Sequence, residues 1–205
     1  MTTTTSDGKP ASDRSDLHAP ATFSALLPTY NRAAALRRNL AGFLALEGLE
    51  ELIVVDDGSA DDTEKLLAGV DDDRLRRIRH ATNQGSPAAR ATAIDAARSD
   101  WVLMLDDDCQ VPPEYGAVLL RVAQECDADI VSAPWVHAEA GDKLESEVAY
   151  RRSHPELCFD LTANPGSFPP HEVETPFLPP LVLGRRTVFE TLGYRRRYRG
   201  NAWRE

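Results

Sequence analysis

Trp101-Val102-Leu103-Met104-Leu105-Asp106-Asp107-Asp108 is the stretch on which the fold turns: five apolar residues run straight into three carboxylates. A short continuous apolar run bounded by polar residues reads as a strand buried on both faces. The carboxylates then sit at the carboxyl end of that strand, the edge where open α/β sheets bind their ligands. Three adjacent carboxylates repel one another. A cation that prefers hard oxygen ligands relieves this, and Mg²⁺ or Mn²⁺ suits one or two carboxylates together with phosphate oxygens. The plainer alternative is an acidic, solvated loop, and the neighbouring strands decide between the two.

Upstream, Thr22 to Leu27 reads as a first strand that Pro28 ends, because proline cannot donate to a sheet ladder. Pro28-Thr29-Tyr30-Asn31-Arg32 turns into a helix from Ala33 to Leu46, with Asn31 as its expected N-cap and Leu36, Leu40, Phe43 and Leu44 on one face. Leu52-Ile53-Val54-Val55 is a second buried strand that runs into Asp56-Asp57-Gly58-Ser59. Ser59 or Asp61 is placed to cap a helix over 62–69. Leu75 to His80 is a third strand. Asn83-Gln84-Gly85-Ser86-Pro87 opens the next helix, with Pro87 in its first turn and Arg90 one turn in. Beyond the acidic triplet, Pro112-Pro113 starts a helix over 114–125, and Asp129 to Ala133 is a further strand. Strand and helix thus alternate from 22 to about 136, which implies right-handed βαβ units and a parallel sheet covered on both faces. A second triplet, Asp71-Asp72-Asp73, follows Gly69-Val70 rather than an apolar strand and reads as a solvated loop.

Three regions follow. Residues 1–20 are expected to be a disordered tail, being rich in Thr, Ser, Asp and Pro with one Leu. Residues 21–136 form the core. Residues 137–205 are less regular: a polar helix over 143–153, six prolines between Asn164 and Pro180, a strand at 181–183, and a helix over 186–192 closed by Gly193. Residues 185–205 hold seven arginines against two glutamates, suited to phosphate or an acidic acceptor, within a chain of 205 residues and net charge −10. That total charge argues against a nucleic-acid partner. Cys109, Cys126 and Cys158 are odd in number and lack metal-type spacing, so free thiols in a reducing cytoplasm are expected. No apolar run approaches the roughly 20 residues of a membrane span, so any membrane contact is expected to be peripheral. His18, His80, His137, His154 and His171 show no ligand pattern and read as structural or solvated.

Three strands therefore end on one edge in groups suited to one task. Tyr30 can stack on a nucleobase, Asp56 or Asp57 can bond a base or ribose, and Asp106 to Asp108 can hold a cation on a diphosphate. The motifs Pro28-Thr29-Tyr30-Asn31-Arg32, Val55-Asp56-Asp57-Gly58-Ser59, Asn83-Gln84-Gly85 with Ala89-Arg90, and Leu105-Asp106-Asp107-Asp108 with Pro112 resemble a family 2 glycosyltransferase of the GT-A fold. The resemblance covers 22–135 well and the segment from Gly184 more loosely. It implies a nucleotide-diphosphate sugar donor, probed first as a UDP-sugar, and Mn²⁺ or Mg²⁺. It also implies transfer to an acceptor hydroxyl with inversion at the anomeric carbon. The acceptor would be a polysaccharide, a lipid-linked sugar or a small molecule.

Carried over residue by residue, the resemblance makes Pro28, Tyr30, Asp57, Arg90, Asp106 and Asp107 donor-binding. Asp108 is the first metal ligand, Asp106 the second, and Asp107 the spacer that could share the metal role. The general base of the family follows a glycine-aromatic segment, which places it at Glu205 or beyond the end of the chain. The acceptor segment is accordingly expected to be truncated. A nucleotide-sugar-binding module without catalysis is the alternative of a different class. A nucleotidyltransferase or a dinucleotide oxidoreductase is disfavoured, because no glycine-rich phosphate loop follows any strand.

Overall fold

The computed structural model describes residues 21–132 and 181–192. The expected tail over 1–20, the helix over 143–153, the cap at Gly193 and the base at Glu205 lie outside the described residues.

Among the described residues six strands form one sheet in the order β3-β2-β1-β4-β6-β5. The elements are β1 (Phe23–Thr29), α1 (Ala33–Leu44), β2 (Leu49–Asp56), α2 (Thr63–Ala68), β3 (Leu75–Arg79), α3 (Ser86–Ala96), β4 (Trp101–Met104), α4 (Tyr115–Glu125), β5 (Ile130–Ser132), β6 (Val182–Arg185) and α5 (Arg186–Leu192). β1 pairs in parallel with β2 and β4, and β2 with β3. The sheet is mostly parallel, as the GT-A resemblance implies, with β6 antiparallel to both β4 and β5. Its reversed direction brings Val182 beside Met104 and beside Ser132, so β6 begins at the edge where β4 and β5 end.

The alternation of strand side chains sorts the core into two layers. Phe23, Ala25 and Leu27 of β1, with Leu52 and Val54 of β2 and Leu103 of β4, pack under Leu36, Leu40 and Phe43 of α1, Leu67 of α2 and Leu119 and Leu120 of α4. Leu26, Ile53, Val55, Val102 and Met104 face the other way and pack on Ala89, Ala93 and Ile94 of α3 and Phe189 of α5. The β1 and β4 strands are thus buried on both faces, which is why they read as continuous apolar runs. Gly116 lets α4 approach β1: a Cβ there would stand 2.2 Å from Cζ of Phe23.

Two local expectations are corrected. β1 does not stop at Pro28; it continues to Thr29, with Pro28 paired to Val55. The Leu26 carbonyl accepts from the Leu105 N–H, whereas the Thr29 carbonyl accepts from the Asp57 N–H. Residues 26 and 28 therefore face β4, and the β1–β4 ladder is paired only as far as Leu26. The N–H that proline lacks falls where no ladder bond is due. Asn31 is not the N-cap of α1 either. That position is Arg32, with no cap from its own side chain. Asp61 caps the helix from a neighbouring loop, its Oδ2 accepting from Ala33 N–H at 2.9 Å, while its Oδ1 accepts from Thr63 N–H at the start of α2. Burial raises the Asp61 carboxyl, but bonds from the Thr63 hydroxyl and these amides outweigh it and hold the group below its ordinary range.

The two aspartate triplets sit on opposite edges. Asp72 lies just before β3, at the amino edge, where its carboxylate accepts from Arg74 N–H, Nε and Nη2. The same edge is stapled by Glu51, buried at 3% exposure. Glu51 accepts from Ser24 Oγ at 2.7 Å, Arg98 N–H at 2.7 Å and Arg76 Nη1 at 2.6 Å. Burial by itself raises the Glu51 carboxyl; these donors, Arg76 foremost, reverse the effect and bring it below the ordinary value.

Candidate active site

At the carboxyl edge the ends of β1, β2 and β4 and the start of α3 are tied together by polar side chains. The acidic triplet alternates in environment. Asp106 is half-buried, Asp107 buried at 3% and Asp108 exposed. Asp107 points inward, where Thr29 Oγ1 donates to its Oδ2 at 2.7 Å and Asn39 Nδ2 donates to its carbonyl at 2.9 Å. Burial pushes its carboxyl up to about 6, with the Thr29 bond and Arg32 opposing and Asp108 and Asp106 adding to the rise. Asp106 and Asp108 flank it and each takes an arginine: Arg90 Nη2 donates to Asp106 Oδ1, and Arg32 Nη1 to Asp108 Oδ2 at 3.0 Å. Asp106 is also raised, by burial first, against the pull of Arg90. The adjoining Cys109 thiol is pushed by burial up to about 12, which leaves it protonated and a poor nucleophile or ligand.

Asp57 lies at the end of β2 and is fully buried. Its Oδ2 accepts from Gly85 N–H at 2.7 Å, Gln84 N–H bridges both oxygens at 3.0 and 3.1 Å, and Oδ1 lies 2.6 Å from Nδ1 of His80. With the carboxylate as acceptor, Nδ1 carries the proton, and Nε2 meets Thr92 Oγ1 at 3.0 Å. Asp57 therefore folds the turn before α3. Gly85 there has φ +92°, a conformation side chains rarely adopt. Gly58 has φ +80°, and a Cβ on it would lie 2.9 Å from the carbonyl carbon of Thr82, so the β2 turn and the 82–85 turn are in direct contact. Asp56 pairs with Arg79 and accepts from Ser59 N–H at 2.8 Å. Ser59 Oγ accepts from Asn31 N–H at 2.9 Å, and Asn31 Oδ1 accepts from Ala60 N–H at 2.7 Å. These bonds hold Asn31 at φ +53° and set the direction in which Arg32 leaves the backbone.

The structure thus places Tyr30, Arg90, Asp106 and Asp108 on one edge. Tyr30 is half-buried directly after β1. Pro28 is buried within β1, and Asp57 and Asp107 are buried beneath the edge. Glu205 lies outside the described residues. The geometry adds Thr29, Arg32, Asn39 and His80. Asn39 carries a legible signal, since it is a polar residue within the apolar stripe of Leu36, Leu40 and Phe43. His80 also carries one, as it directly follows β3 where Asp57 directly follows β2. Among the described residues no three carboxylate, imidazole or thiol groups converge on one point. Two outward carboxylates without a protein cage suit a hard cation that takes the rest of its shell from diphosphate and water.

Solved structures share this architecture. A mannosyltransferase from Pyrobaculum calidifontis, in complex with GDP-Man and Mn²⁺, superposes with a TM-score of 0.61 at 22% identity, over 85% of this chain and 49% of that one. TarS 1–349 of S. aureus in complex with UDP-GlcNAc superposes at 0.58 with 19% identity, over 83% and 47%. The molecule has the α/β GT-A fold. The sequence profile described as "Glycosyl transferase family 2" matches residues 24–170, well over half of the chain, and the chain belongs to that family. Among its relatives, the succinoglycan biosynthesis protein ExoO of Rhizobium meliloti is 39% identical over 104 residues, 50% of this chain and 29% of that protein. An undecaprenyl-phosphate 4-deoxy-4-formamido-L-arabinose transferase of Proteus mirabilis is 35% identical over 109 residues, 50% and 33%. The chain's match spans about a third of the length of these relatives. Among the described residues no helix is long and apolar enough to cross a membrane.

Proposed function

We propose that this chain carries the donor half of an inverting glycosyltransferase, which moves a sugar from a nucleotide-diphosphate sugar, a UDP-sugar first among them, to an acceptor hydroxyl with Mn²⁺ or Mg²⁺. The observation that carries the reading is the pair of outward carboxylates, Asp106 and Asp108, each beside a guanidinium at the end of β4. The neighbours' complexes with UDP-GlcNAc and with GDP-Man and Mn²⁺ support the donor class and the cation.

In this reading Asp108 and Asp106 would hold the cation, which would supply positive charge where the diphosphate leaving group develops its negative charge. Arg90 adds a fixed positive charge beside it. Tyr30 offers its ring to the base. Asp57, with both oxygens engaged, shapes the nucleoside wall through Gln84 and Gly85 rather than by offering an unshared oxygen. Asp107 sets the angle between its two neighbours through Thr29 and Asn39. Pro28 contributes only through the backbone path that delivers Tyr30. Glu205 takes the acceptor proton.

The test is a thermal shift series with UDP-, GDP- and dTDP-sugars, with and without Mn²⁺. At least one sugar nucleotide stabilises the chain in a Mn²⁺-dependent way. Asp108→Ala keeps the parent melting temperature but loses that response. Equal nucleotide affinity in mutant and parent would remove Asp108 from the cation site, and no response to any donor would overturn the function.

A further inference from the structure

We propose that Arg32 is a further donor-binding residue that exchanges partners, leaving Asp108 when a divalent cation binds there and turning to the donor's diphosphate. The proposal rests on the cation and diphosphate reading above. A guanidinium and a divalent cation compete for one carboxylate. The cation also places a double positive charge beside Arg32, and the diphosphate is then the anion in reach. Guanidinium forks fit carboxylate and phosphate alike, so the exchange conserves hydrogen bonding.

The two arginines of the site differ in the freedom this exchange needs. Arg90 is 12% exposed, lies within α3 and is also near Ser86 Oγ at 3.4 Å, so it is a fixed charge. Arg32 is 39% exposed and its partner Asp108 is 53% exposed, a pair that water screens and that separates at little cost. Its backbone is nevertheless fixed, because Asn31 before it is pinned by Ser59 and Ala60, and Ala33 after it by Asp61. A rigid base with a mobile fork is what a swinging contact requires. Charge points the same way. Asp106 and Asp108 are balanced by Arg90 and Arg32, so a cation alone adds uncompensated charge, whereas a cation arriving with a diphosphate does not. Arg32 therefore couples the two: it opposes the cation alone and favours the pair.

Calorimetric titration of Mn²⁺ into the full chain, alone and with saturating UDP or GDP, tests this against Arg32→Ala and Arg32→Lys. Without nucleotide, Arg32→Ala binds Mn²⁺ about two- to fivefold more tightly than the parent. With Mn²⁺ present, it binds UDP or GDP about tenfold more weakly. Arg32→Lys keeps the charge and the parent's Mn²⁺ affinity, but loses part of the nucleotide affinity with the fork. Unchanged or weaker Mn²⁺ binding by Arg32→Ala, or unchanged nucleotide binding by both variants, overturns the exchange while leaving the proposed function standing. A parent chain that binds Mn²⁺ with neither nucleotide overturns both. Should Arg32→Ala lose its circular dichroism signal, Arg32→Lys decides by its nucleotide affinity alone.

Discussion

Neighbouring aspartates part ways at the end of β4 but not at the end of β2, and the backbone decides which. At the end of β4 the side chains alternate, so Asp107 turns into the protein while Asp106 and Asp108 turn out. At the end of β2, Asp56 and Asp57 are both drawn inward, one by Arg79 and Ser59, the other by the turn at Gln84 and Gly85. A carboxylate receiving several charge-assisted bonds is worth more to the structure than its surface position in sequence implies. Asp57→Asn removes the charge that Gln84, Gly85 and His80 share, at a cost of about 2 kcal/mol. Hydrogen exchange reads it locally: the Gln84 and Gly85 amides lose protection, whereas those of Leu26 and Leu103 keep it. Unaltered protection at Gln84 and Gly85 would mean that the turn holds itself. Asp106, Asp108 and Arg90 were legible as a group because each stands at a fixed offset from a strand or turn. The inward roles of Asp57 and Asp107 were not, because the type of residue does not tell which way a carboxylate leaves the chain. Asn39 and His80 stand out locally, one as a polar residue in an apolar stripe and the other directly after a strand, but their partners, Asp107 and Asp57, are far off in sequence and no local pattern names them.

At the scale of elements, β1, β2, β4 and helices α1 to α4 were legible, since strands buried on both faces and amphipathic helices leave unlike periodicities. The continuation of β1 through Pro28 was hidden, because proline's missing donor matters only on the side that pairs, and the pairing partner is set by the sheet. The direction of β6 was equally hidden. Val182-Leu183-Gly184-Arg185 reads as a strand either way, and only its register against β4 and β5 makes it antiparallel. Helix placement carries its own test at Gly116. Alanine there drives a Cβ into the Phe23 ring at the start of β1, and overpacking of this kind costs about 1–3 kcal/mol. Urea unfolding of Gly116→Ala shows a lower midpoint with an unchanged slope. A midpoint equal to that of the parent would show that the ring yields freely.

Among the described residues, buried and half-buried polar side chains gather at the two edges of the sheet. The carboxyl edge keeps Asp106 and Asp108 within reach of solvent, and the amino edge buries Glu51 as a junction of β1, β2, β3 and the 98–99 turn. Because the folded state holds the Glu51 carboxyl below its ordinary value, its contribution is complete above the unfolded value of about 4.3 and is lost as pH falls through the folded value. Glu51→Gln is therefore less stable than the parent at neutral pH, by on the order of 2 kcal/mol. The gap narrows on acidification below about pH 4.3. Chemical denaturation at pH 7 and pH 3.5 measures both, and a gap that stays constant would assign Glu51 a packing role.

The pairing of Ser132 with Val182 carries a consequence for how such a chain can change over generations. Crossovers within β1 to β4 are bound to the helices that cover them, so their lengths are locked. Ser132 and Val182, by contrast, stand side by side on one ladder step, at the edge that bears the acidic pair. Closing a loop costs only about 0.6 kcal/mol more for each doubling of its length. Changing the number of residues between these two ladder partners therefore costs little in closure, and the β1–β4 frame that carries Asp106 and Asp108 is left as it is.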